Sequence, residues 1–423
     1  MIPKLAMENE LPEDSLGAQV RRRLIAAAQD RQDVDLVIMA NEINFAHGTG
    51  ILMSRILAEL PSYVLFRAFD HWGGMQVVEP TADFVLHRYS QDRQTIAGFV
   101  ASRLPPYAPR SIFSVPYTRE DVVMALTAKA MTGAPLVIWV MDDNCLSNEG
   151  IPLALMRELV LAADARFVIS DVMRATYEAH FGLPFWVLPP LVARRFIRTE
   201  PCLPPPQEEP LRGAIVGNIW HQAWLEDAIE ALSGVEVPIE WYTSSNDLHF
   251  LKYTDADLAR AGIVIKNDLT HDEIAVRVER SAFILVPSFS GTETDGHAAA
   301  IGRLSLPSKM PFVTATAGTP FLVLTNGESG AADYVRTFDL GEVAAYDQEA
   351  IIAAINRIAD PDKQYRVRER SFAIAPALDV TGLHGFLVDA ARNRSLTDDR
   401  FELLFSTASL AGRERSDCSI MQC

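Results

Sequence analysis

Short apolar runs, each followed by an amphipathic stretch, recur along this chain at the spacing of alternating strands and helices. In residues 213–380 the runs are AIVGN (214–218), PIEWYT (238–243), IVIKN (263–267), FILVP (283–287), PFLVL (320–324) and EVAAY (342–346). Helical spacing fills most of the gaps, at 223–233, 271–280, 307–317, 330–337 and 348–359. Strands this continuously apolar are buried on both faces, which calls for a parallel sheet covered by helices above and below. The first half repeats the pattern less cleanly. Its strands are expected at 35–40, 63–67, 111–116, 135–141, 166–170 and 185–189, with helices near 14–30, 49–60, 119–132, 151–162 and 171–180. Residues 70–110 are expected to be irregular.

Between the halves, FIRTEPCLPPPQEEPLR (196–212) breaks every periodicity, and its three consecutive prolines predict an extended, semi-rigid linker. The expected organisation is a Rossmann-like unit over 1–195, the linker 196–212, a second Rossmann-like unit over 213–380, a helical segment 381–408 and a disordered tail 409–423. Two doubly wound α/β units joined in this way leave a cleft between the carboxyl edges of their sheets, where ligands of such sheets bind.

The formal net charge of −17 argues against nucleic acid as a partner and against broad adhesion to anionic membrane. No basic-then-apolar leader and no run long enough to span a bilayer is visible. The four cysteines, Cys145, Cys202, Cys418 and Cys423, form no CxxC pair, so neither a zinc site nor a disulfide framework is expected. A reducing cytoplasmic setting fits, with a peripheral position at the inner membrane face left open.

The candidate residues cluster at predicted strand ends. Pro-Ser-Lys at 307–309 opens a predicted helix. Ser308 as its N-cap and Lys309 beside its positive end would suit a diphosphate. The alternative is a capped surface helix with a solvated lysine. Ser288–Gly296 (SFSGTETDG) is a polar loop after a buried strand, and its Glu293 and Asp295 could hold sugar or ribose hydroxyls; otherwise it is an acidic solvent loop. Gly217 and Asn218 end the first strand of the second unit, but GNIWHQAW is no GxGxxG fingerprint, so a dehydrogenase is poorly supported. In the first unit, His47-Gly48-Thr49-Gly50 joins a strand to a helix. It could offer backbone amides to an anion or acceptor, or serve only as a tight turn; it lacks the Gly-Lys-Ser/Thr of a P-loop. Asp142 and Asp143 close the strand PLVIWVM, where one could act as general base or hold a hydroxyl, or the pair could be a plain strand-end cap. Adjacent strand residues point to opposite faces, so a chelating pair is not implied and no metal is expected. His71 and Trp72 in AFDHWGG could line a sugar site or be solvated, and Trp220, His221 and Trp224 are open to the same two readings.

These stretches together carry a resemblance. HGTGILMSRILAEL, PLVIWVMDD, RFVISDVMRATYEAHFG, GAIVGNIW, LSLPSKMPFVTATAGTPFLVL and GAADYVRTFDLGEVA, in that order over roughly residues 35–350, resemble B-type, double-Rossmann glycosyltransferases. The nearest group is the retaining bacterial transferases of polysaccharide and lipopolysaccharide synthesis. The resemblance implies a nucleotide-diphosphate-sugar bound by the second unit and a saccharide or lipid-linked acceptor bound by the first. It implies no bound metal or cofactor, because the helix end and basic side chains neutralise the leaving diphosphate. Three departures stand out. Phe312 occupies a position where relatives commonly have a ribose-binding Glu, Met141 one where many have a His, and the usual Lys-Gly is absent from GNIWHQAW. A catalytically impaired sugar-nucleotide-binding scaffold and a sugar-nucleotide epimerase on the same scaffold are the competing readings.

Overall fold

The structure, a computed structural model, describes residues 31–405 apart from 88–91, 148–149, 206–209, 244–250, 268, 295 and 403. The helix expected over 14–30 and the tail 409–423 lie outside the described residues.

Two parallel sheets organise the chain. The first contains β1 (Gln32–Met39), β2 (Tyr63–Arg67), β3 (Ala82–Val85), β4 (Tyr107–Ser114), β5 (Leu136–Val140), β6 (Ala165–Val168) and β7 (Trp186–Val187), in the order β3-β2-β1-β4-β5-β6-β7. The second contains β8 (Gly213–Val216), β9 (Ile239–Thr243), β10 (Ile263–Asn267), β11 (Phe283–Pro287), β12 (Phe321–Leu324) and β13 (Gly341–Ala344), in the order β10-β9-β8-β11-β12-β13. The burial is what the apolar runs require: β2, β5 and β11 are buried at every residue. Helices begin where side chains can satisfy their free N–H groups. Thr118 and Asp121 form a capping box for Arg119–Thr132, and Ser170 caps Asp171–Phe181.

In each sheet the strand order reverses once, between β1 and β4 in the first and between β8 and β11 in the second. A crevice opens at the carboxyl ends of strands at such a reversal, because consecutive connections leave it in opposite directions. The two crevices face each other. The apolar packing runs unbroken from the first unit through the interface to one face of the second sheet. A separate core around Ile215, Trp241, Phe283 and Leu285 covers the second sheet's other face.

The structure adds the helices Asp255–Arg260 and Pro361–Ile374, which were not expected, and differs from the sequence expectation in three places that bear on the cleft. Residues 70–110 are not merely irregular: they hold β3 and the helix Arg93–Arg103. A further helix, Gly296–Leu304, follows the polar loop after β11. The units are also joined twice rather than once. The chain crosses at the proline-rich segment and again at 378–383, where Val192 pairs with Asp379 as a parallel bridge. Leu378 O accepts from Val192 N at 2.8 Å, and Val192 O from Val380 N at 3.0 Å. The helix Leu383–Asn393 then docks on the first unit, with Phe386 5.8 Å from Phe167. No helix among the described residues is long and apolar enough to cross a membrane.

Candidate functional site between the two sheets

The loops leaving β1, β2, β4 and β5 supply one wall of the cleft, and those leaving β8 and β11 the other. Asp142, immediately past β5, stands at the centre. Its Oδ2 accepts from the Tyr117 hydroxyl at 3.0 Å, and Thr49 Oγ1 lies 2.7 Å from that same hydroxyl. Its Oδ1 accepts from Ser305 Oγ of the second unit at 2.6 Å. A hydrogen-bonded line, Thr49–Tyr117–Asp142–Ser305, therefore crosses the interface. Burial raises the Asp142 carboxyl above its ordinary value; the Ser305 and Tyr117 hydroxyls and the nearby His297 pull the other way.

Asp143 has the opposite fate. It is fully buried, and its oxygens accept from Leu146 N and Ser147 N, each at 2.9 Å, and from the Tyr177 hydroxyl at 2.8 Å. It shapes the loop after β5 and does not line the cleft, as the alternation of strand side chains dictates.

On the second unit, Pro307, Ser308 and Lys309 line the cleft at the start of the helix Lys309–Thr316. Ser308 does not cap that helix as expected. Its backbone is already helical (φ −58°, ψ −23°) and its side chain makes no capping hydrogen bond, since the turn begins with Met310 N donating to Pro307 O at 2.9 Å. Its hydroxyl instead approaches the other unit: a Cβ on Gly48 would lie 3.4 Å from Ser308 Oγ. Lys309 reaches across to β8's loop, where Nζ donates to Asn218 O at 2.8 Å. Gly217, at φ +69°, makes the left-handed turn that brings Asn218 and Trp220 to the cleft.

The loop after β11 is arranged differently from its sequence reading. Glu293 accepts from Ser290 N at 2.7 Å, from Gly291 N at 2.9 Å and from Trp224 Nε1. It fastens its own loop and is not among the residues lining the cleft. Asp295 lies outside the described residues. Gly296 opens the helix Gly296–Leu304 against the first unit, so closely that a Cβ there would sit 2.6 Å from Ser147 O. Ser288 is buried at the cleft floor, with Oγ donating to Gly302 O at 3.2 Å.

The first unit's wall is built around Glu42, which is fully buried. Its carboxylate pairs with Arg67 at 3.2 Å and accepts from the backbone N–H groups of His71 (3.2 Å), Trp72 (2.9 Å) and Gly74 (3.1 Å). Burial opposes its charge, but hydrogen bonding shared with the Asp70 carboxyl and accepted from the Trp72 and Gly74 amides outweighs it and holds the carboxyl at about 2. His47 caps the helix Gly48–Leu57: Nδ1 accepts from Gly50 N at 3.2 Å, and Nε2 lies 2.7 Å from Glu42 O. That pairing uses one ring nitrogen as acceptor and the other as donor, which is the neutral ring. Burial, the largest influence on it, likewise lowers the His47 pKa. Thus Gly48, Thr49 and Gly50 open a capped helix whose start faces the cleft. His71 is exposed on the cavity rim.

Tyr117 and Ser305, which complete the line through Asp142, escaped the sequence reading. Their signals are slight: a tyrosine between a strand and a T-x-x-D capping box, and a serine just ahead of Pro-Ser-Lys. Phe312 packs inside, 5.3 Å from Phe196 and 5.9 Å from His271, and Met141 offers the cleft its carbonyl, which accepts from Ser305 Oγ at 3.2 Å.

Neither a protein-family model nor a curated protein sequence matches this chain. Among solved structures it is similar to the lipopolysaccharide outer core galactosyltransferase WaaB in its apo form, at 14% identity and TM-score 0.59, over 86% of this chain and 99% of that one. It is similar to a glycosyltransferase from Rickettsia africae at 12% identity and TM-score 0.61, over 86% and 99%. It is also similar to a UDP-N-acetylglucosamine 2-epimerase at 13% identity and TM-score 0.51, over 87% and 99%. The two facing Rossmann-like units are the B-type glycosyltransferase fold.

Proposed function

We propose that this protein is a glycosyltransferase that moves a sugar from a nucleotide-diphosphate-sugar to a saccharide or lipid-linked acceptor. The fold does not choose the reaction by itself, since an epimerase shares it. The observation that favours transfer is the line Thr49–Tyr117–Asp142–Ser305. It places a half-buried carboxylate from the first unit beside the Pro-Ser-Lys end of the second, with cavity on both sides of it.

In this reading the donor's diphosphate lies toward Lys309 and Asn218. The acceptor oxygen bonds to the anomeric carbon as the bond to the diphosphate oxygen breaks, and the electron pair leaves with the diphosphate. Lys309 and the start of its helix stabilise that growing charge. Asp142 holds the acceptor hydroxyl, and its raised pKa makes it a better proton acceptor than a solvated carboxylate. The reaction needs no metal in this scheme. A role in polysaccharide or glycoconjugate synthesis and a peripheral position at a membrane belong to the same proposal.

Incubation with a panel of nucleotide sugars, with and without oligosaccharide acceptors, followed by mass spectrometry, tests it. Transfer requires free nucleoside diphosphate together with a glycosylated acceptor. A donor isomerised without any acceptor would make the protein an epimerase. Nucleotide binding with no turnover would make it a scaffold. Asp142→Asn keeps the shape and removes the proton acceptor, so turnover should fall ~10²–10⁴-fold with donor binding retained.

A further inference from the structure

We infer that the cavity of about 500 Å³ between the units takes an uncharged carbohydrate, with one ring stacked on Trp72, Trp220 across from it and a hydroxyl turned to Asp142. This rests on the reading above and specifies the acceptor.

Trp72 is a prepared platform. One face of its indole lies against the His47 ring, 4.6 Å away and 3° from parallel. His47 is itself fixed through both ring nitrogens, and the Trp72 backbone is fixed by Glu42. An aromatic held this firmly loses little freedom when a ligand covers it, so more of the contact energy appears as affinity. From the other unit Trp220 reaches the same cavity while remaining 49% exposed, an unusual state for so large an apolar side chain. Flat aromatic surfaces suit the C–H faces of a sugar ring.

The polar groups narrow the class. No lysine or arginine lines this cavity among the described residues, and Asp142 is its carboxylate. A phosphorylated or carboxylated acceptor would meet the Asp142 carboxylate and no permanent positive charge, since the cavity's basic side chains are histidines, His71 and His297 beside the neutral His47. Hydroxyls, by contrast, find Thr49, Thr118 and Asn41 around the rim. Two side-chain oxygens in the wall, Asn41 Oδ1 and Asn218 Oδ1, have no hydrogen-bond partner among the described residues. Buried acceptors left so are costly, and a hydroxyl-rich ligand can orient donors toward that wall. A hydrocarbon chain offers none.

The test is saturation-transfer NMR on the full chain with maltose, lactose and N,N′-diacetylchitobiose as uncharged probes and glucose 6-phosphate as the anionic one, each with and without UDP. Binding should appear on ring C–H protons of at least one uncharged disaccharide and exceed that of glucose 6-phosphate. Trp72→Ala should weaken it about tenfold or more, with partial recovery in Trp72→Phe. Trp220→Ala tests the opposite side through an exposed residue whose loss does not threaten folding. Glucose 6-phosphate binding better than every disaccharide, binding by none of them, or binding unchanged in both tryptophan variants would overturn the inference. The two readings fail separately. Nucleotide sugars bound without any disaccharide would leave the transferase and remove this acceptor class, while disaccharides bound without any nucleoside diphosphate would do the reverse.

Discussion

On the first unit's side of the cleft, the loop 70–74 hangs on Glu42, a fully buried carboxylate paired with the equally buried Arg67. On the second unit's side, the loop 288–294 hangs on Glu293, half-exposed and holding neutral donors: two backbone amides, the Ser290 hydroxyl and Trp224 Nε1. In both walls a carboxylate shapes a loop, although only Glu293 looked chemical in sequence terms. The strengths differ. Removing one member of a buried ion pair leaves its partner's desolvation uncompensated, whereas neutral donors near the surface can turn to water. The first wall is therefore a fixed shape, and the second a surface that can adjust around a ligand.

Glu42→Ala should show the contrast most strongly, lowering stability by about 3 kcal/mol or more in denaturant unfolding. Arg67 keeps Asp83, at 2.9 Å, which limits the loss. A smaller effect than that of Glu293→Ala would reverse the assignment of the two walls. Next in size is Lys309→Ala, expected to slow turnover about 10²-fold while leaving disaccharide binding at the first wall unchanged; equal loss of both would show that the walls do not act separately. Glu293→Ala should cost ~1–2 kcal/mol and leave the Trp72 platform intact, read as unchanged disaccharide saturation transfer.

The smallest effect tests the first wall by pH. Asp121 accepts from Tyr117 N at 3.0 Å, and burial pushes its carboxyl from 3.8 up to about 7 against the pull of its hydrogen bonds. The folded state thus holds a proton that the unfolded chain has released, so this group's contribution falls as pH rises between those values. Glu42 has the opposite sign: its contribution is complete above 4.5 and is lost as pH falls toward about 2. Asp121→Asn should accordingly become more favourable relative to the parent, by ~1–2 kcal/mol, between pH 5 and pH 8. Parallel stability curves would mean that Asp121 stays charged throughout.

Much of this architecture was legible because buried parallel strands are written as continuous apolar runs. IVIKN and FILVP are β10 and β11 to the residue. ADFV is only half-buried at each position, so β3 left no comparable trace, and FWVLP shrank to the two residues of edge strand β7. The helix Gly296–Leu304 was hidden by its glycines. Gly302 is needed there because a Cβ would sit 2.7 Å from the Trp224 ring. Asp142 could be found from its place at a strand end. Its partners could not, because Tyr117 and Ser305 lie 25 and 163 residues away in the chain and meet it only through the topology. The Ser308 cap failed for a local reason: the helix winds one residue earlier than Pro-Ser-Lys suggests.

The paired crossings between the units set the freedom of the whole molecule. A single extended tether would let the halves swing, slide and twist. Val192 and Asp379, bridged side by side and reinforced by Arg194 on Asp379 at 2.6 Å, turn two passing segments into a narrow ribbon. A ribbon bends readily about its flat direction and resists the others, as a hinge with two pins does. Bending in that one direction would part the cleft walls and, on reversal, bring Ser305 back to Asp142. A cut within residues 201–205 would leave the halves attached, still turning about the second pin.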